Sequence, residues 1–97
     1  MIRHTVLFKL NEGFTREDEQ VLAATEALTA YGAANPLVQS WETHWCFGER
    51  PVSHDFLLVC ETADEAGLRA YLDDPQHREV AARLGRLFTL AVADYAF

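Results

Sequence analysis

Hydrophobic and polar residues alternate in four segments of the chain, and this pattern predicts four β-strands. From Ile2 to Leu10 every second side chain shares one face, and that face holds His4 among apolar residues. The third segment contains the unbroken apolar run Phe56–Cys60, which is typical of a strand covered on both faces. The four predicted strands are Ile2–Leu10, Leu37–Cys46, His54–Glu61 and Phe88–Phe97.

Two further regions space their apolar residues by three and four positions, which predicts helices. The first extends from Thr15, an N-cap residue followed by acidic side chains, to Tyr31, where a glycine follows. The second extends from Thr62 to Arg86. Its helix breaks before Pro75, because proline disfavours helical backbone in the residue that precedes it.

The element order β-α-β-β-α-β predicts a single α+β domain over residues 1–97 with the ferredoxin-like fold, a four-stranded antiparallel sheet with helices on one face. The other face carries Leu7. It also carries Trp41 and Trp45 if the odd-numbered residues of the second strand point to that side. Such a face is too apolar for a monomer in water, so we predict a homodimer that packs sheet against sheet. The alternative is that the two tryptophans line the core of the monomer.

Composition and charge exclude several classes of partner. The 97 residues carry a net charge of −7, which argues against nucleic acid and against an anionic membrane surface. No apolar run reaches the roughly 20 residues that span a bilayer, and the N-terminus shows no signal-peptide pattern, so we expect a cytoplasmic protein. Cys46 and Cys60 have no CxxC spacing, and buried free thiols are the expected state.

The break before Pro75 places a phenol and an imidazole, those of Tyr71 and His77, on either side of a corner between two helical segments. Burial would keep the imidazole neutral, so His77 is a candidate general base, and Tyr71 is a candidate hydrogen-bond donor to an oxyanion. In the alternative interpretation Tyr71 packs as an ordinary core residue and His77 is solvated.

The apolar face of the first strand predicts a cavity between sheet and helices that suits a hydrophobic or aromatic small molecule. The residues expected to line it are His4, Val6, Phe8, Leu22, Glu26, His54, Phe56, Leu90 and Val92. The alternatives are a hydrogen-bonded core histidine at His4, a turn-capping role for His54 and a solvated carboxylate at Glu26. The four histidines lack the spacing of a metal site, and neither a metal nor a cofactor is expected.

Four stretches resemble the stress-responsive A/B barrel domain, or Dabb, family. They are Met1–Lys9 (MIRHTVLFK), Ser53–Val59 (SHDFLLV), Tyr71–His77 (YLDDPQH) and Ala93–Tyr95 (ADY). The resemblance covers essentially the whole chain and implies a dimeric α/β barrel, in which two ferredoxin-like subunits pack through their sheets. Most members of that family have no assigned activity.

One branch of the family, the plant olivetolic acid cyclases, closes a linear polyketide thioester by aldol condensation without a cofactor. Their catalytic Tyr-x5-His motif matches Tyr71 and His77, and two pocket histidines match His4 and His54. Their pocket tyrosine on the first helix falls on Glu26 here, which is a departure from the pattern. Haem, which some relatives in the wider superfamily bind, has no positive sign in this sequence.

Two hypotheses of function therefore remain open. The first is a dimeric small-ligand-binding or stress-associated protein without chemistry. The second is a cofactor-independent lyase or cyclase that acts on a small, polyketide-like carbonyl compound with a His/Tyr acid–base pair.

Overall fold

The chain folds into a four-stranded antiparallel sheet with three helices on one face, as described by a computed structural model of residues 1–97. The sheet order is β2-β3-β1-β4, which confirms the predicted ferredoxin-like topology. The elements are β1 (Ile2–Leu10), α1 (Glu19–Ala33), β2 (Ser40–Trp45), β3 (Phe56–Thr62), α2 (Glu65–Asp73), α3 (Pro75–Gly85) and β4 (Phe88–Ala96). No helix combines the length and apolar character needed to cross a membrane.

Strand β1 lies at the centre of the core, since it pairs with β3 on one side and with β4 on the other. Its helix-facing side chains are buried in strict alternation, as the sequence pattern predicts for a sheet with one covered face. Val6 stands opposite Leu58 of β3 and Val92 of β4, so the register brings the apolar positions of three strands into one layer. The helices pack on that layer.

Helix α1 begins three residues later than predicted, since its N-cap is Asp18 and not Thr15. The Asp18 carboxylate accepts a hydrogen bond from the backbone N–H of Thr15 at 2.8 Å, which holds residues 15–18 in a turn. Asp18 has extended backbone angles and is the N-cap of the helix. The helix also continues through Gly32 to Ala33, so both predicted ends were wrong.

Trp41 and Trp45 face the helices, and the prediction that they lie on the uncovered face was wrong. Residues directly opposite each other on paired strands share a face, and these two stand opposite the buried Cys60 and Phe56. The indole of Trp41 lies so close to α1 that a Cβ on Gly32 would come within 1.7 Å of its Cε2 atom. The tryptophans therefore line the monomer core, which was the alternative interpretation.

The uncovered face of the sheet is still apolar at its centre. Its middle is formed by Thr5 of β1 and by five aliphatic side chains from the three strands β1, β3 and β4, which are Leu7, Leu57, Val59, Ala91 and Ala93. Strand β4 is exposed to solvent along its length after Phe88. This face is hereafter called the open face.

The predicted break between the two helical segments is present, with α2 ending at Asp73 and α3 beginning at Pro75. Asp74 connects them in an extended conformation, as expected for a residue before proline. The Tyr31 hydroxyl donates a hydrogen bond to the Asp74 carboxylate at 2.6 Å. This bond joins the end of α1 to the corner that carries Tyr71 and His77.

Candidate functional site

A cavity of about 170 Å³ lies between the sheet and the helices α2 and α3. Most of its lining is aliphatic or aromatic, and four polar side chains interrupt that lining: His4, Tyr71, His77 and Asp94. Two come from the sheet, on β1 and β4, and two come from the helix corner. A cavity with a few convergent polar groups in apolar walls is the usual form of a small-molecule site.

Tyr71 and His77 lie in contact across the corner, with ring centroids 4.5 Å apart and the rings edge to face. The Tyr71 side chain is fully buried. Its hydroxyl oxygen and the His77 Nδ1 atom are buried, and neither has a hydrogen-bond partner within the protein. Buried polar atoms are normally paired, so these two are unsatisfied within the chain.

The surroundings keep both groups uncharged at neutral pH. Burial lowers the pKa of His77, and the nearby His4 ring lowers it further, against the smaller opposing effects of the Leu72 carbonyl and Asp74. Burial also raises the pKa of Tyr71 well above its ordinary value. At pH 7 the imidazole can therefore accept a proton and the phenol retains the proton that it donates.

His4 forms a close pair with Asp94 that the sequence analysis missed. Its Nδ1 atom lies 2.5 Å from Oδ1 of Asp94, and the two residues stand opposite each other in the β1–β4 register. His4 is 4 % exposed, and its ring lies edge-on to Tyr71 at 5.8 Å. The alternation along β4 places Asp94 on the same face as Leu90 and Val92. A carboxylate on that apolar face was the sequence feature that could have indicated a buried polar partner.

Two aromatic rings support Tyr71 from the side of α1 and β2. Tyr31 lies 6.2 Å from the Tyr71 ring and 6.3 Å from the His77 ring, and Trp41 lies 6.1 Å from Tyr71. Tyr31 was predicted only as the last residue of the first helix. The first helix therefore does supply a tyrosine beside the pair, although its hydroxyl is bonded to Asp74.

Five of the residues predicted to line the pocket lie on the cavity wall, namely His4, Val6, Phe8, Leu90 and Val92. Phe56 is buried in the core against Phe8 and Trp45, outside the cavity wall, so its predicted place in the lining was wrong.

Leu22, Glu26 and His54 are the other wrong predictions about the lining. Leu22 and Glu26 are exposed on α1, because the buried face of the helix is formed by other residues, among them Val21, Thr25 and Leu28. His54 lies in the loop before β3, at the Phe8 end of β1, since the Asp55 N–H bonds to the Phe8 carbonyl. That end is four residues along the strand from His4.

No group of three or more histidine, cysteine, aspartate or glutamate side chains is arranged to hold a metal ion.

The model of the stress responsive A/B barrel domain family, Dabb, matches residues 2–97. The chain belongs to the Dabb family. An uncharacterised protein of Streptomyces coelicolor is 39 % identical to this chain over 97 residues, and the alignment covers 100 % of both chains.

Solved structures resemble this Dabb chain closely. A dimeric ferredoxin-like protein of unknown function from Thermobifida fusca is 30 % identical with a TM-score of 0.84, covering 99 % of this chain and 90 % of its own. Hydroxynitrile lyase from Passiflora edulis has a TM-score of 0.84 at 14 % identity, covering 99 % and 92 %. The second likeness is one of fold alone. The similar structures thus include a dimeric protein of unknown function, and the same fold occurs in an enzyme.

Proposed function

We propose that this Dabb protein is a homodimeric, cofactor-independent catalyst of proton transfer on a small carbonyl compound bound in the cavity. One observation carries the proposal: Tyr71 and His77 both line the apolar cavity, and the Tyr71 Oη and His77 Nδ1 atoms are buried without a hydrogen-bond partner. Leaving such groups unpaired costs about 1–3 kcal/mol each, and a bound carbonyl compound would remove part of that cost.

The volume of the cavity limits the size of the ligand. A cavity of about 150 Å³ in another protein holds one benzene molecule, and this one has about 170 Å³. The lining therefore suits an aromatic or short aliphatic aldehyde or ketone. A linear polyketide thioester, the substrate class suggested by the cyclase branch, would have to extend far outside these walls.

The proposed reaction begins with the carbonyl oxygen accepting a hydrogen bond from the Tyr71 hydroxyl. Neutral His77 then takes a proton from the carbon next to the carbonyl, the electron pair of that C–H bond moves into the new carbon–carbon double bond, and the carbonyl oxygen becomes an enolate. Tyr71 stabilises the enolate oxygen, and the imidazolium of His77 returns the proton or passes it to a leaving group. The same two groups can serve carbon–carbon bond formation or cleavage.

Asp94 is proposed as a positioning residue for His4, whose ring lies edge-on to Tyr71. When its carboxylate accepts the Nδ1–H of His4, the Nε2 atom of His4 is the unprotonated nitrogen. Asp94→Asn would weaken that preference for one tautomer, and we expect it to change the pH profile of turnover while Asp94→Glu restores part of it.

Exchange of the α-protons of acetophenone for deuterium in D₂O, followed by proton NMR, tests the proposal directly. We expect the wild type to accelerate exchange above the buffer rate. We expect His77→Gln to lower the enzymatic rate by about 10²-fold or more, and Tyr71→Phe to lower it by a similar factor. His44→Gln is the matched control, because His44 is exposed on the open face and is not part of the cavity lining; since it stands opposite Leu57, the dimeric state of the variant is checked by sedimentation first.

No acceleration by the folded wild type, or equal rates for His77→Gln and wild type, would contradict the catalytic proposal. Saturable binding of acetophenone without exchange would favour the binding hypothesis instead.

The homodimer is proposed to form through the open face. Its support is the apolar centre of that face together with the dimeric state of the Thermobifida fusca relative. Leu57→Asp, which places a charge at that centre, should give a monomer in sedimentation velocity at a loading concentration where the wild type is dimeric. An unchanged dimer would show that the copies associate elsewhere.

A further inference from the structure

An open groove of about 360 Å³ adjoins the cavity near the start of β1 and the end of β4. Leu72 of α2 and Asp94 of β4 line both the groove and the cavity, so these two side chains form a common boundary. The Asp94 side chain is 37 % exposed. Solvent therefore reaches the boundary, which the packed core does not seal.

The strand register shows that the groove continues the cavity in the same layer of side chains. Three successive levels of helix-facing pairs on β1 and β4 line the cavity, namely Phe8 with Leu90, Val6 with Val92, and His4 with Asp94. The next level pairs Ile2 with Ala96, and both residues line the groove. Successive levels lie about 7 Å apart along a strand. The groove therefore begins one level beyond the polar end of the cavity.

Helix α2 covers the groove with side chains of mixed character. Leu68 lies one turn before Leu72 on the same side of the helix, and both pack against the hydrophobic core. Glu65 and Arg69 form an exposed ion pair at 3.9 Å beside them. Together with Asp94, the groove holds two carboxylates and one guanidinium, so it has no surplus positive charge. This lining suits an uncharged, mainly aliphatic chain better than an anion.

We propose that the groove binds the tail of the ligand whose carbonyl group lies at Tyr71 and His77. The cavity of about 170 Å³ accommodates a group of about the size of a benzene ring, so a longer ligand has to leave it. The boundary at Leu72 leads such a ligand into the groove. The substrate class is then a ketone with an aromatic head and an uncharged alkyl tail of several carbons. The inference rests on the proposed function and adds a preference for tail length.

Two ketones that differ only in the length of the tail test the inference in the wild-type protein. Acetophenone carries a methyl group where 1-phenylpentan-1-one carries a butyl chain. Exchange of the α-protons in D₂O is measured for both, and each rate is divided by the rate in buffer alone. We expect kcat/KM on this scale to be about tenfold higher for the longer ketone, because its additional CH₂ groups leave water in the groove.

A third ketone, 5-oxo-5-phenylpentanoate, tests the charge of the tail. Its chain is of similar length and ends in a carboxylate. We expect its kcat/KM to be no higher than that of acetophenone, because Glu65 and Asp94 repel the anion while Arg69 is already paired.

Ala96→Trp and Ala70→Trp form a matched pair of variants. Ala96 is exposed at the end of β4, where a larger side chain would fill the groove. Ala70 is exposed on α2 and lines neither the groove nor the cavity. The ratio of kcat/KM between the longer and the shorter ketone should fall to about one in Ala96→Trp and stay at the wild-type value in Ala70→Trp. Circular dichroism and thermal melting show beforehand that both variants are folded.

Three results would overturn the tail site while leaving the proposed function intact: a ratio of about one in the wild type, a preference for the ketone with the carboxylate, or an unchanged ratio in folded Ala96→Trp. The first two need only the wild-type protein, so the inference is tested even if Ala96→Trp does not fold. If the wild type accelerates exchange of none of the three ketones, the proposed function fails and the tail site fails with it.

Discussion

Removal of one hydroxyl group from Tyr71 should make the protein more stable, whereas the same change at Tyr31 should make it less stable. Tyr71 Oη is buried without a partner, so folding removes it from water and returns no hydrogen bond. Tyr31 Oη donates to the Asp74 carboxylate at 2.6 Å, so folding replaces its water contact with a bond to a charged acceptor. Both substitutions, Tyr→Phe, delete the same atom.

The expected magnitudes follow from these two environments. An unsatisfied buried hydroxyl costs about 1–3 kcal/mol, so Tyr71→Phe should raise the free energy of unfolding by about 1 kcal/mol. Loss of a hydrogen bond to a charged group in a half-buried site should lower it by about 1–2 kcal/mol for Tyr31→Phe. For a domain of this size 1 kcal/mol corresponds to about 4–8 °C in Tm.

Urea denaturation followed by circular dichroism measures both changes, at one protein concentration because dimer formation contributes to stability. If Tyr71→Phe were destabilised as much as Tyr31→Phe, the Tyr71 hydroxyl would have to be satisfied within the folded protein. That result would refute the reasoning that the hydroxyl is reserved for a ligand.

Three further expectations concern packing, protonation and reactivity. Gly32→Ala should lower Tm clearly, because its Cβ would lie 1.7 Å from the indole of Trp41. Gly85→Ala should leave Tm unchanged or raise it, because a Cβ there would meet no atom within 4 Å. Folding lowers the pKa of His77 below its ordinary 6.5, so the wild type should lose stability relative to His77→Gln as the pH falls below that value. Above it, the unfolding free energy of the wild type minus that of the variant should be constant. A constant difference down to pH 5 would contradict this expectation. Burial raises the pKa of the Cys60 thiol to about 12, so a thiol reagent at pH 8 should modify one cysteine per native chain and two after unfolding.

The sequence was sufficient for the fold because its patterns are local. The alternation in β1 and the break before Pro75 each depend on a few adjacent residues, and the structure confirms both elements. The face of β2 was harder to predict. Irregular loops precede and follow this short strand, so nothing nearby in sequence determines which of its side chains face the helices. Only the pairing with β3 places Trp41 and Trp45 on the covered side.

The candidate site was predictable only in part, for a similar reason. His4, Tyr71 and His77 were found because a polar residue stood out in an apolar pattern or beside a helix break. The contact of His4 with Asp94 joins residues 90 positions apart and depends on strand register. The missing partners of Tyr71 and His77 are likewise a property of three-dimensional packing, which no sequence pattern reports.

The proposed function requires that a small carbonyl compound binds between His77, Tyr71 and His4. Its most direct test is a titration of the ¹⁵N-histidine-labelled protein with benzaldehyde, followed through the imidazole signals in NMR spectra. We expect the signals of His77 and His4 to shift in a saturable way, with those of His44 and His54 unchanged, because only the first pair lines the cavity. Absence of a saturable shift, or equal shifts at all four histidines, would contradict the claim.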